Sequence, residues 1–94
     1  MDDDTFEWDE AKNVENYAKH GIDFERACWA FRDPFAIERL DEREDYGEHR
    51  VILIGMTEGV VLFVVYTERD SRLRLISARR ATKREQDDYF AQNA

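Results

Sequence analysis

VILIGM (residues 51–56), TEG (57–59) and VVLFVVYT (60–67) form the stretch that decides the fold. The middle triplet reads as a hairpin turn, which makes the flanking runs antiparallel strands. Val60 to Thr67 is apolar at every alternate position on both sides, the mark of a central strand covered on both faces. Downstream, Leu73, Leu75 and Ile76 predict a further strand, reached through Arg69-Asp70-Ser71. Thr82-Lys83-Arg84-Glu85 is then a capping box, which opens a last helix through Tyr89 and Phe90. Upstream, Phe35, Ile37 and Leu40 predict a strand, joined to Val51 by the charged loop Asp41 to Gly47.

The N-terminal third changes period. Thr5-Phe6-Glu7-Trp8 alternates, as a short edge strand would. Asp9 caps a helix running to about His20, with Asp9 and Glu10 at its positive end, Lys19 and His20 at its negative end, and Gly21 as the left-handed stop. Val14, Tyr17 and Ala18 mark its expected buried stripe. Asp23 is a second N-cap. Phe24, Ala27, Cys28 and Phe31 follow at helical spacing, and that helix ends before Asp33-Pro34. Cys28 sits within the stripe, so it reads as a buried structural thiol. The expected fold is α+β: an antiparallel sheet of about four strands, two N-terminal helices packed on one face, and a C-terminal helix. Without repeats, low-complexity tracts or a linker, residues 1–94 read as a single domain.

Composition sets the limits. At 94 residues the chain has length for one domain, which buries roughly 60–65% of its unfolded surface. Hydrophobic residues at 43% and aromatics at 13% exclude a disordered acidic chain. The lone Cys28 excludes an internal disulfide and a multi-cysteine zinc site, and with two histidines there is no metal-ligand spacing. No cofactor is implied. Met1-Asp2-Asp3-Asp4 is unlike a signal-peptide start, and the apolar run Val60 to Tyr66 is far short of the roughly 18 residues that span a bilayer. A cytoplasmic protein without a membrane association is the expectation.

The net charge of −8 argues at first against a nucleic-acid binder. Resolved along the chain it says something else. Residues 1–68 hold 18 acids and 7 bases, whereas residues 69–84 hold seven bases and Asp70 alone. That basic segment is either a solvated face paired to the acidic body or a local phosphate site.

The ordered set of motifs resembles a known family. Phe6-Glu7-Trp8-Asp9, Lys12-Asn13, Asn16, Lys19-His20-Gly21-Ile22, Phe24 and Phe31-x-Asp33-Pro34 resemble the opening of BrnT-type toxins. Gly47-Glu48-x-Arg50, Ile54-Gly55, Val64-Val65-Tyr66-Thr67, Ile76 to Thr82 and Glu85 continue the resemblance over nearly the whole chain. It implies a RelE/ParE-like fold and a ribonuclease toxin that arrests translation. It also implies a DNA-binding, BrnA-like antitoxin of ribbon-helix-helix type. Two toxins and two antitoxins would form a heterotetramer that holds operator DNA through the antitoxin.

RNA cleavage without a metal needs a base for the 2′-OH, cationic donors for the phosphate, and an acid for the leaving 5′-oxygen. Arg79 and Arg80 end a strand beside the helix capped by Thr82, where backbone N–H groups add positive potential. Their bland reading is a salt bridge to Glu85, Asp87 or Asp88. On a straight strand the two arginines face opposite sides. Arg50 is a second phosphate clamp and Glu48 or His49 a proton-transfer group, Glu48 preferred because His49 alternates to the opposite side; or Glu48 and Arg50 are an ordinary same-face ion pair. Lys12, Lys19, Lys83 and Arg84 are candidate RNA contacts; Lys12 and Lys19 could instead pair with Asp9 and Glu15. His20 is either a general base or a helix-end donor. Tyr66 could stack a base, or simply satisfy its hydroxyl at a strand end. Two other functions stay open at this point: a non-catalytic protein-binding module, and a ParE-like topoisomerase inhibitor. In the toxin reading, the partner would cover the basic segment or the sheet edge beside it.

Overall fold

The computed structural model describes residues 5–94; the acidic start Met1 to Asp4 lies outside them. Five strands and three α-helices follow in the order β1 (Phe6–Glu7), α1 (Glu10–His20), α2 (Phe24–Trp29), β2 (Ile37–Leu40), β3 (Val51–Thr57), β4 (Val60–Arg69), β5 (Arg72–Arg80) and α3 (Lys83–Gln92). A 3₁₀ turn at Ala30–Arg32 extends α2. The sheet order is β1-β5-β4-β3-β2. Four strands pair antiparallel as expected, but β1 adds a fifth, parallel to β5. The sheet is therefore mixed. A crossover through both N-terminal helices brings the chain back to the far edge before the meander begins, and sequence spacing alone could not orient so short a first strand.

Local chemistry explains the elements. Asp9 accepts from Ala11 N–H and Asp23 from Arg26 N–H, while Gly21 closes α1 at φ 73° with its N–H on the Tyr17 carbonyl. Thr82 and Glu85 form the reciprocal capping box of α3. The β3–β4 turn has Glu58 and Gly59 at φ 52° and 77°, and the β4–β5 turn has Asp70 and Ser71 at 51° and 66°. Positive φ at both central residues gives each turn a twist that matches its strands.

The strands carry two cores. One face holds Leu53, Leu62, Val64, Tyr66, Leu75 and Ala78 under Ile22, Phe24, Ala27, Cys28 and Ala30. A register shift at Val65/Tyr66 lets both Leu75 and Ala78 turn to this face. Edge-to-face contacts join Trp8 to Phe24 and link Phe6, Phe31 and Tyr66 in series. The approach is close at Gly55, where a Cβ would stand 2.8 Å from the Ala30 carbonyl oxygen. The other face holds Ile52, Ile54, Val61, Phe63 and Val65, covered at one end by Ala81 and Tyr89. Asp33 ties these parts together, accepting from Phe35 N–H, Met56 N–H and the Tyr89 hydroxyl at 2.9, 2.7 and 2.5 Å. Burial disfavours its charge, but these three donors outweigh that and lower its pKa.

The expected stripe of α1 is corrected by the structure. Val14, Tyr17 and Ala18 are exposed, and Asn16 is the buried residue of this helix. Its side chain binds both backbone groups of Ala78, accepting from the N–H at 3.1 Å and donating to the carbonyl at 2.8 Å, and it donates to the Ile22 carbonyl as well. Asn13 accepts from Phe24 N–H and so locks α1 to α2. Two amides fix the helix where an apolar stripe was expected. Among the described residues no helix is long and apolar enough to cross a membrane.

Candidate active site

The face that α1 and α2 leave free carries an open cleft of about 510 Å³, lined by Arg39, Leu40, Asp41, Glu42, Arg43, Ile52, Phe63, Arg79 and Glu85. Phe63 is its apolar floor. The Arg79 guanidinium lies 3.9 Å from the Phe63 ring centroid and that of Arg43 lies 5.5 Å from it. Arg79 faces this cleft because it pairs with Phe63, whereas Arg80 pairs with Leu62 and faces the other side. The expected divergence of the two arginines is what the register shows.

Arg79 and Arg43, the two cleft arginines over Phe63, each have an acid that aims them. Arg79 makes two parallel bonds to Glu85, at 2.8 and 3.0 Å. Burial disfavours the Glu85 carboxylate, but Arg79 and the Thr82 N–H outweigh it and hold the pKa below the ordinary value. Asp41 accepts from Arg43 Nε and Nη2 at 2.7 and 2.6 Å. This bidentate pair holds the Asp41 carboxyl down at about 2 and raises the Arg43 pKa in turn. The salt-bridge reading of Arg79 is therefore correct in geometry. It does not remove the arginine from the cleft, since Glu85 fixes the fork while one side of it lines open space.

Arg50 belongs to the same face. The Asp41 N–H donates to the Arg50 carbonyl at 2.8 Å, continuing the β2–β3 register in which Arg39 faces Ile52. Alternation then sets Arg50, Ile52 and Ile54 on one side. Arg50 Nε binds Glu48 at 3.0 Å, and its guanidinium stacks 4.0 Å from the Tyr46 ring. A chain of contacts thus runs from Arg50 through Asp41, Arg43 and Phe63 to Arg79 and Glu85. Sequence reasoning missed Arg39, Asp41, Arg43 and Phe63. Their signal was faint: a charged loop looks solvated, and nothing in it announces that Asp41 is buried and draws Arg43 onto the sheet.

The other candidates separate. Lys12, Lys19 and His20 come together with Glu15, Asn16, Ile76 and Ser77 around a groove of about 200 Å³ at the β5 edge. The cap of α1 is made by the Gly21 N–H, and His20 lines that groove. Lys83 pairs with Asp87, and Arg84 is exposed on α3. Tyr66 is buried on the helix-covered face with its hydroxyl on Glu38 at 3.0 Å. Burial, then the Glu38 bond, push its pKa up to about 12. Cys28 is buried as expected, and burial is the main reason its thiol rises to about 12.

No curated protein matches the chain. Residues 8–85 match the model of a protein family described as "Ribonuclease toxin, BrnT, of type II toxin-antitoxin system". The match begins at Trp8, which packs on Phe24, and ends at Glu85, which aims Arg79. The chain belongs to this BrnT family: it is a ribonuclease toxin of a type II toxin–antitoxin system, with RNA as its target and an antitoxin as its partner.

Proposed function

We propose that the arginine-lined face cleaves RNA without a metal, on a RelE/ParE-like fold. Arg79 and Arg50 hold backbone phosphate, and Glu48 accepts the 2′-OH proton. The observation that carries this is their common face: Arg50 and Arg79 lie on one side of the sheet, about 13 Å apart along the strand direction, with Arg43 between them. Guanidiniums supply the positive charge that a developing phosphorane needs, and they keep it at any working pH. As the O2′–phosphorus bond forms, the bond from phosphorus to O5′ breaks. The 5′-oxygen leaves with a proton from solvent, and Glu48 later returns its own. A 2′,3′-cyclic phosphate and a 5′-hydroxyl result.

Glu85 is a positioning residue, because its carboxylate holds Arg79 and the α3 N-terminus. Lys12, Lys19 and His20 serve as an approach for the strand, since their groove reaches Ser77, two residues from Arg79 on β5. Lys83 and Arg84 extend the basic field beside it, and Arg80 does so from the other face. Tyr66 stays out of RNA contact in this reading, because it is buried on the helix-covered face with its hydroxyl on Glu38. The antitoxin in this reading is a ribbon-helix-helix protein that gathers two toxins on operator DNA.

The test is digestion of a defined RNA in EDTA. Wild-type toxin cuts it to cyclic-phosphate ends. Arg79→Ala and Arg79→Lys each lose roughly ten- to a hundredfold in rate, the cost of losing a forked, charged hold on a phosphate neighbouring the one that reacts. Arg80→Ala, on the other side of the sheet, stays within about fivefold, a loss appropriate to long-range charge alone. Equal cutting by wild type and both Arg79 variants ends the proposal.

A further inference from the structure

The two edges of the sheet are finished differently. At the β5 edge, β1 pairs with Leu73 and Arg74, and the Asn16 amide takes up both backbone groups of Ala78. That edge, beside the basic segment, is closed along β1 and at Ala78. At the β2 edge the register decides which groups point outward. Asp41 and Arg50 form a hydrogen-bonded pair, so Arg39 with Ile52 and Ile37 with Ile54 do too. Glu38 and Leu40 are the alternate residues. Their N–H and C=O groups point away from β3, and none has a partner among the described residues.

The surroundings of this edge say what would cover it. Phe35 and Leu40 flank the strand at 58% and 54% exposure, and Phe90 of α3 stands at 51%. Phe35 and the end of α3 are joined by an Asn93 bond to the Phe35 carbonyl. Half of the six large exposed hydrophobics among the described residues therefore lie around β2 and the helix end beside it. Residues 33–48 carry seven acids against Arg39 and Arg43. An unpaired edge with apolar flanks and a negative field fits an extended, basic segment with alternating apolar residues. A second copy of this chain would bring the same acids against themselves.

We propose that the antitoxin docks by adding a strand to β2, through a basic extended segment that bonds to Glu38 and Leu40. This rests on the family membership, which supplies the partner, and not on the catalytic assignment. Because Arg39 alternates with Glu38 and Leu40 and lines the cleft, a strand seated there lies along the rim of the arginine face. Edge addition thus couples binding to occlusion.

The probe is the toxin co-expressed and purified with the antitoxin of its own module. Amide hydrogen exchange on labelled toxin reads the edge directly. In the free toxin, Glu38 and Leu40 amides exchange fast; in the complex they are slowed roughly a hundredfold. Leu40→Pro removes only an outward N–H, a change edge strands accept, and weakens the complex about tenfold or more. Leu40→Thr keeps the N–H and weakens it less. Matching melting curves for the free variants show that the fold is kept. Unchanged exchange at Glu38 and Leu40, or Leu40→Pro binding as tightly as Leu40→Thr, overturns the proposal. So does protection that grows with toxin concentration in the absence of antitoxin. A toxin that leaves RNA uncut but shows these protections defeats the catalytic reading and leaves the docking intact.

Discussion

On one face of the sheet, α1 and α2 lay Ile22, Phe24, Ala27 and Cys28 over Leu53, Leu62 and Val64, and the side chains at the centre are almost wholly dry. On the other, Tyr89 and Ala81 cover one end, and guanidiniums of Arg79 and Arg43 lie over the ring of Phe63. The strands are the same; the cover differs. Where a helix covers the sheet, apolar area leaves water and stabilises the fold without presenting any chemistry. Where the helix is missing, the sheet is finished by arginines, whose flat faces cover the aromatic floor while their N–H groups remain available. Of the acids that aim them, Asp41 is buried and Glu85 half-buried beside them. An arginine face of this kind is both the lid of a small core and the candidate phosphate surface.

The strongest way to break this contrast is to remove apolar cover from the helix face. Phe24 is fully buried and touches the Trp8 ring edge at 5.9 Å between centroids. Phe24→Ala should cost about 3–5 kcal/mol, read as a drop in the urea midpoint at unchanged slope. A loss below about 1 kcal/mol would mean that α2 is not what holds this face.

That result was largely legible in the sequence, and the contrast with α1 shows why. In α2 the helical spacing of Phe24, Ala27 and Cys28 matched the apolar packing that seats the helix on the sheet, so pattern and packing agree. The hairpin of residues 51–67 and the capping box at Thr82 were legible for a similar reason, since each depends on neighbours in sequence. β1 was visible as a strand but not as a parallel partner of Leu73, because its pairing crosses 67 residues. The site was half visible. Arg79, Arg50 and Glu48 are conspicuous charges near element ends, but their meeting depends on Asp41 and Arg43, brought in by a loop whose path no local rule sets.

A second prediction uses pH to separate the faces. The Asp41 carboxyl falls from 3.8 to about 2 on folding. Its contribution is therefore complete above about pH 4 and is lost as pH falls toward 2, by roughly 1–2 kcal/mol once screening at the half-exposed Arg43 is allowed for. Glu85 and Asp33 shift in the same direction. On the helix face Cys28 is raised from 9.0 to about 12, so its contribution is complete below pH 9 and lost as pH rises toward 12; above pH 10 Tyr66 on this face and Tyr89 on the other, both raised from 10.0 to about 12, add to the loss. Acid should loosen the arginine face, and alkali between about pH 9 and 10 the helix face. Stability measured against pH should show both limbs. Asp41→Asn should flatten the acid limb and Cys28→Ala the alkaline one between about pH 9 and 10, before the tyrosines take part; a substitution that altered the opposite limb would break the assignment.

The smallest expected effect is the most pointed, because it concerns residues that an apolar stripe would have buried. At about 100° per residue, Asn16 lies roughly 200° around α1 from Val14, so turning the amide inward turns the valine out. The choice is energetic. Burying Val14 and Tyr17 would gain apolar area, but it would strip Asn16 from the N–H and carbonyl of Ala78 and the carbonyl of Ile22, leaving an edge strand with unsatisfied backbone under a helix. Each such orphan costs about 1–3 kcal/mol, enough for two or three of them to outweigh one buried valine. Val14→Ser and Tyr17→Ser should then each change stability by no more than about 0.5 kcal/mol in thermal melts of the free toxin. Had these side chains faced the sheet, the same substitutions would cost about 2–4 kcal/mol, so the two arrangements are separated well beyond measurement error. A large loss would put the stripe back against the sheet and return the amide to solvent. A negligible one leaves α1 as a helix held by a side-chain amide, with its apolar residues turned to the outside.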